Sequence, residues 1–440
     1  MNDRWEASVK TSVKVFGRKT KMIKVLTIAC AFAFSGATYA ADPEGTVGPD
    51  VVVFDIDDTD YWGESGGVKA YSIRTESCNR GDEPLSWISN GNQHPVIAQN
   101  LYRVTKSSAV PPVEHGKIEM LGISWLKHGF LSVNGSSCGT CTQPPLGGSQ
   151  LGIGCSDPYG AGLNGSQSGL GPRFEVNAFT GEFIDDHSSP SGDANLAGRI
   201  NVKESDLIDT ADYAYFIEGH YIAPDDAASG NSLNNASHQE ATISGNSLIP
   251  NGPTNEGIQA IYAWQAVDSA VTVREVLVPG EGLFIVAYKV GDNGDGTWHY
   301  QYSIFNMNSH LSGRSFSVPV LGSSVITNPS FRDVDYHSGE PYDGTDWVFN
   351  VDTVGGWLSW STETYAANPD ANALRWSTMY SFGFDADSPP EDAIASIGLF
   401  RQDGPPSVQV FVQAPADNLM PLFSDGFESG DTSGWSEVFP

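Results

Sequence analysis

Apolar residues in this chain come in short runs, about four to eight long, separated by clusters of Gly, Asn, Asp and Ser. The pattern is sharpest from residue 258 onward. There 271–278 and 283–290 are rich in β-branched residues, 291–296 (GDNGDG) is a turn, and 298–305 (WHYQYSIF) alternates with period two. The alternation puts Tyr300, Tyr302 and Ile304 on one face and His299, Gln301 and Ser303 on the other, which predicts a hairpin. Further runs stand at 315–320, 347–351, 357–361, 380–384, 394–400 and 407–412. Many short strands at regular spacing predict an antiparallel β-sandwich of immunoglobulin-like type over 258–415.

Residues 42–255 are more heavily punctuated. Strand-like runs at 51–56, 68–73, 96–104 and 118–125 are bounded by turn formers. The glycine-rich stretch 147–171 is expected to hold no helix, because glycine disfavours helix wherever it occurs. Short helices or turns are expected at 203–218 and 223–238, where Asp225 and Asp226 follow Pro224 and suit a helix N-terminus. The fold class is therefore all-β. A loop-rich β domain at 42–255 precedes the sandwich, and a linker with an acidic tail occupies 416–440.

The first forty residues read as an address. Basic 19–24 is followed by apolar 25–34 and by small residues ending at Ala40, the order of a secretory signal cleaved after Ala40. Met22 is the alternative start, which makes 1–21 an over-called leader. The apolar run is too short to span a bilayer, and no later stretch reaches that length. Localisation is thus expected to be secreted, extracellular or periplasmic.

Charge narrows the partners. The chain has 23 Lys+Arg against 53 Asp+Glu, a formal charge of -30. Removing 1–40 takes seven basic and two acidic residues with it, leaving 16 against 51 and a net -35. Such a surface excludes a groove-bound nucleic acid and is unsuited to an anionic membrane.

Four cysteines follow the leader: Cys78, Cys138, Cys141 and Cys155. An even number in an exported chain points to disulfides, which would pin the loop-rich half, and three connectivities are open. The rival is a transition-metal site, in which the Cys138-x-x-Cys141 spacing and Cys155 are joined by His94 and His128. A second constellation lies at 333–346, where Asp333, Asp335, Glu340, Asp343 and Asp346 accompany His337. This oxygen-rich loop suits Ca²⁺, the one cofactor the sequence suggests.

Two familiar strings fail in context. Residues 51–59 (VVVFDIDDT) resemble the opening motif of haloacid-dehalogenase phosphatases, but another strand follows where that fold needs a helix. Residues 63–67 (GESGG) satisfy Gly-x-Ser-x-Gly, yet no helix follows Ser65 and no His of the mature chain precedes it. Both read as strand ends and turns.

Several strings together carry a resemblance: 94–103 (HPVIAQNLYR), 125–130 (WLKHGF), 154–159 (GCSDPY), 163–173 (LNGSQSGLGPR), the 333–347 loop and 372–376 (NALRW). They resemble a group of secreted proteins of proteobacteria and planctomycetes for which no activity is established. The likeness covers most of the mature chain and implies export alone. The tail 422–435 (LFSDGFESGDTSGW) is similar to a short terminal tag of exported gammaproteobacterial proteins.

The reading that fits best is a secreted or cell-envelope non-enzymatic protein that binds a glycan, a surface partner or Ca²⁺. The alternative is a metal-dependent secreted oxidoreductase or hydrolase built on His94, His128 and the cysteines.

Overall fold

The strand Val96–Thr105 is buried along all ten of its residues, and the N-terminal half is arranged around it. In the computed structural model, which describes residues 46–107, 115–184, 186–337, 339–352 and 354–415, this strand pairs antiparallel with Tyr213–Ile222 over ten positions. Lys117–Ile123 pairs with it too. Beyond Tyr213–Ile222 the sheet continues through Ala236–Ser244 and Ser247–Asn255, and Leu126–Lys127 and Leu170–Gly171 extend it the other way, giving seven strands. The leader at 1–40 and the tail at 416–440 lie outside the described residues.

Because side chains alternate across a strand, the central strand serves two cores at once. Ile97 and Leu101 point into a cluster with Val51, Val53, Tyr71, Ile73, Ile200 and Val202. Those residues come from two three-stranded sheets, one of Val51–Asp55, Thr75–Asn79 and Ser156–Tyr159, the other of Thr59–Ser65, Val68–Ile73 and Ile200–Lys203. Tyr102 and Val104 point the other way, into a cluster shared with the C-terminal half.

That half is a sandwich of two five-stranded antiparallel sheets. One sheet runs Thr272–Leu277, Leu283–Asp292, Trp298–Asn306, Thr378–Ala386, Ile326–Arg332; the other runs Val348–Asp352, Trp357–Ser361, Gly313–Pro319, Glu391–Leu399, Ser407–Ala414. Tyr300, Tyr302 and Ile304 fill the space between them with Phe316, Leu358, Trp360 and Phe382, as the period-two pattern predicts. The opposite face is polar but not open to water. Ser303 and Ser381 are buried, and their hydroxyls donate to the Ile118 carbonyl at 3.1 and 2.8 Å. Small hydroxyl side chains let the strand Lys117–Ile123 lie close against the sandwich, so the two halves share one hydrophobic cluster.

The all-β expectation holds, with corrections at the helices. Residues 203–218 are not helical beyond one 3-10 turn at Glu204–Asp206; 207–212 is irregular or turn, and 213–218 enters the strand Tyr213–Ile222. A strand buried on both faces has no alternation to read. Residues 223–238 divide into the helix Pro224–Ser229 and the start of Ala236–Ser244. The glycine-rich stretch does contain two helical turns, the 3-10 turn Gly147–Ser149 and the α-turn Ala161–Asn164, the latter flanked by glycines at both ends. No helix among the described residues is long and apolar enough to cross a membrane.

The four cysteines that follow residue 40 are paired, Cys78 with Cys138 and Cys141 with Cys155. Ser156 pairs in register with Cys78; the Cys78–Cys138 bridge ties the loop at 134–155 to the middle strand of that sheet, and the Cys141–Cys155 bridge closes the loop on itself. Loop-closure entropy assigns about 4 kcal/mol to the bridge of separation 60 and about 3 kcal/mol to that of separation 14. We therefore expect Cys78→Ser/Cys138→Ser to lower unfolding free energy more than Cys141→Ser/Cys155→Ser, measured by denaturant titration. Thiol titration of the chain lacking residues 1–40 should find no free thiol.

Candidate functional site

The 333–347 loop leaves the sandwich strand Ile326–Arg332 and crosses onto the N-terminal half. Asp335 pairs with Lys203 at 2.7 Å. Buried His337 donates from Nε2 to the Ile123 carbonyl at 2.7 Å, and its Nδ1 accepts from the Asn201 amide at 3.1 Å. Gly339 follows at φ +103°, where a Cβ would stand 2.5 Å from the Trp125 ring; only glycine can pass there. Glu340 then accepts the backbone N–H groups of Arg173 at 2.6 Å and Phe174 at 3.3 Å. Asp343 accepts from Thr345 N–H and Asn368, and Trp347 donates to the Asn372 carbonyl.

The five carboxylates read as a Ca²⁺ loop are therefore dispersed. Asp335 faces Lys203, Glu340 caps a backbone turn, Asp343 holds its own loop, and Asp333 accepts from Asn372. Asp346 is exposed. Among the described residues, no group of three or more His, Cys, Asp or Glu side chains is arranged to hold a metal ion. Rather than forming a cage, the loop is a strap between the two halves.

Where the strap leaves the sandwich it borders a cleft of about 140 Å³ lined by Leu121, Lys203, Asp206, Phe331, Arg332, Asp333 and Asp335. Burial raises the Asp333 carboxyl to about 6, with Asp346 and Asp335 adding to the rise and the Asn372 bond opposing it. Behind the cleft runs a charge network. Arg332 reaches Asp206 at 2.7 Å and lies 3.9 Å from Glu119, and Glu119 is held by Arg103 at 2.8 Å and Lys117 at 3.2 Å. Burial alone would raise Glu119, but the three cations outweigh it and keep it ionised below the usual carboxylate range. Phe331 stacks on Trp347 with centroids 5.8 Å apart, which fixes the aromatic wall. Asp333 and Asp335 were legible in the sequence. Lys203, Asp206, Phe331 and Arg332 were not singled out, since no local spacing connects them.

The proposed metal pair His94 and His128 is brought together, 5.6 Å between ring centroids, and His187 joins them in a parallel stack on His128 at 4.1 Å. The cysteines do not join them as ligands, since their sulfurs are consumed in the two disulfides. His94 donates from Nδ1 to the Ile88 carbonyl and accepts the Gly129 N–H at Nε2. Both ring nitrogens of His128 are buried without a hydrogen-bond partner. Burial drives its pKa down to about 2, with smaller contributions from His187, His94 and Lys127.

The two rejected strings are accounted for. Asp57 pairs with Arg74 at 2.6 Å, and the strand Thr59–Ser65 follows. Gly66 and Gly67 form the two-residue turn after Ser65, both at positive φ. No protein-family model matches the chain, and no curated protein matches it.

A histidine held neutral in the fold but titrating near 6.5 when unfolded costs stability below pH 6.5, and the cost grows as pH falls. His128→Phe should therefore be more favourable at pH 5 than at pH 8 by about 2 kcal/mol, measured as the change in unfolding free energy at the two pH values. Equal effects at both would contradict a neutral buried His128.

Proposed function

We propose that this is an exported, non-enzymatic protein that binds one unit of a saccharide chain in the cleft at Phe331, Asp333 and Asp335. The observation that carries the reading is the cleft's composition: a fixed aromatic wall beside charged groups of both signs. Sugars present hydroxyls that both donate and accept, together with patches of C–H. Asp333 and Asp335 supply acceptors, Lys203 and Arg332 supply donors, and Phe331 supplies the apolar surface. The volume of about 140 Å³ is well below the roughly 300–1,000 Å³ of sites that engulf a drug-sized ligand. A single unit of a longer polymer fits that size better than a whole free metabolite. Export is supported by the basic–apolar–small order of residues 19–40 and by two disulfides, which persist in oxidising compartments.

The test is a glycan array followed by calorimetry on the best binder. Phe331→Ala and Lys203→Ala should each weaken binding about tenfold, the loss of one stacking or charge-assisted contact. Circular dichroism should stay unchanged. Failure of every glycan to bind, or affinity indifferent to both substitutions, would sink the reading. Release of reducing sugar that is lost in Asp333→Asn would turn it into an enzyme.

A further inference from the structure

A second pocket lies beside the segment from Arg375 to Trp376, lined by Arg375, Arg401 and His310 and by the rings of Phe174, Tyr342 and Trp376. We propose that it recognises an oxyanion group, the carboxylate, sulfate or phosphate end of a larger ligand, between the guanidinium groups of Arg375 and Arg401. The site shares no residue with the saccharide cleft, and its test stands apart from that reading.

Arg375 is 4% exposed, and its guanidinium stacks on Tyr342 at 4.0 Å and on Phe400 at 4.6 Å. Stacking of this kind fixes the plane of the group and leaves its edge to make hydrogen bonds. That edge is only partly used. Nη2 donates to the Pro369 and Ala371 carbonyls, each at 3.1 Å, and Nε is buried with no partner. Arg401 lies over Tyr365 at 5.2 Å and donates from Nε to the His310 carbonyl at 3.0 Å. Among the described residues neither arginine donates to a carboxylate. Arg74, Arg80, Arg103 and Arg332 each pair with Asp or Glu, whereas Arg375 and Arg401, like Arg173 and Arg199, bond neutral oxygens instead.

The two guanidinium groups both act on His310, with Asp403 as the opposing charge. Burial above all, with Arg401 and Arg375 adding to it and Asp403 opposing, lowers that imidazole to about 4. Two further carboxylates nearby are committed elsewhere: Glu281 to the N–H groups of His310 and Leu311 and to the Ser309 hydroxyl, and Glu340 to the backbone N–H groups of Arg173 and Phe174. The free space, about 10 Å³, is that of one water-sized atom. It admits one oxygen of an anionic head, with the rest of the ligand outside. A guanidinium pair binds such an oxygen by charge-assisted hydrogen bonds, which are short and strong in a partly desolvated site.

The experiment follows the His310 ring signals of the full chain by NMR while sodium sulfate, phosphate or acetate replaces sodium chloride at constant ionic strength. His310→Gln identifies the signals. A saturable shift with at least one oxyanion, accompanied by a rise in the His310 pKa from about 4, is expected. Arg401→Gln, at a half-exposed position, should weaken that binding about tenfold, the loss of one charge-assisted bond. Arg375→Gln is the second variant and should do the same wherever it folds. Drift no different from chloride for all three anions, or wild-type saturation in Arg401→Gln, overturns the proposal.

Discussion

The Arg173 guanidinium is the joint on which the two halves depend. It is buried, and four hydrogen bonds engage its five N–H groups. Nε donates to the Ser124 carbonyl at 2.7 Å, Nη1 to the Ser377 carbonyl at 2.9 Å, and Nη2 to Gln99 O at 3.1 Å and Asn100 Oδ1 at 2.8 Å. Those acceptors come from the central strand, from the segment after Lys117–Ile123 and from the sandwich. A buried charge is tolerable only when its hydrogen bonds are complete, because losing one partner of such a group costs about 3–5 kcal/mol. The backbone around Arg173 is consequently fixed from both sides. Ser377 bears part of that demand: a non-glycine residue at φ +54°, it keeps a costly conformation while its carbonyl faces Arg173 and its hydroxyl meets Asn100 and His220.

The opposite charge is set one amide away. Asn100 accepts from Arg173 and donates to Glu218 at 2.8 Å, and Glu218 also accepts from Tyr102 and from the Ala260 N–H. Burial pushes the Glu218 carboxyl up, and its hydrogen bonds and Arg173 pull against that. Arg173, Asn100 and Glu218 thus form a polar thread through a region that is otherwise apolar. Directional bonds of this kind select one register for Val96–Thr105, where hydrophobic contacts alone would accept slippage by two residues. The strap depends on the same thread, since Glu340 binds the backbone of Arg173 itself.

These features explain what the sequence could and could not disclose. The sandwich was legible because its strands have one apolar and one polar face, so 298–305 announces itself by period two. Tyr213–Ile222 was misread because both of its faces are buried and Glu218 in it serves as an internal acceptor. The acidic loop was legible as a concentration of charge but not as a strap. Each partner that gives it meaning is remote: Arg173 is 167 residues from Glu340, and Asn201 is 136 from His337. Asp335 and Asp346 still act on Asp333, but Glu340 and Asp343 are carried onto separate partners, Arg173 and Asn368. The reverse happened to the histidines. His187 has no spacing relation to His94 or His128, yet the fold stacks it on His128.

The same logic gives the chain's acidity a positional meaning. A net charge of -30 repels itself on folding, and each buried or half-buried cation is in demand as a partner. Most are spent within the fold: Arg103 and Lys117 on Glu119, Arg74 on Asp57 and Glu76, Lys289 on Asp268. A cation left without a carboxylate in such a chain therefore forgoes an interaction that abundant acidic side chains could supply. Arg199 shows how this can be structural, for its guanidinium lies over Trp62 at 3.7 Å and donates to three backbone carbonyls. Arg375 differs in one respect: its stacking is as close, but one N–H remains without an acceptor. An unsatisfied donor of a buried cation costs free energy in the folded chain. Arg103 carries the same cost at its own Nε although it is paired with Glu119, so a carboxylate partner alone does not satisfy every N–H of a buried guanidinium.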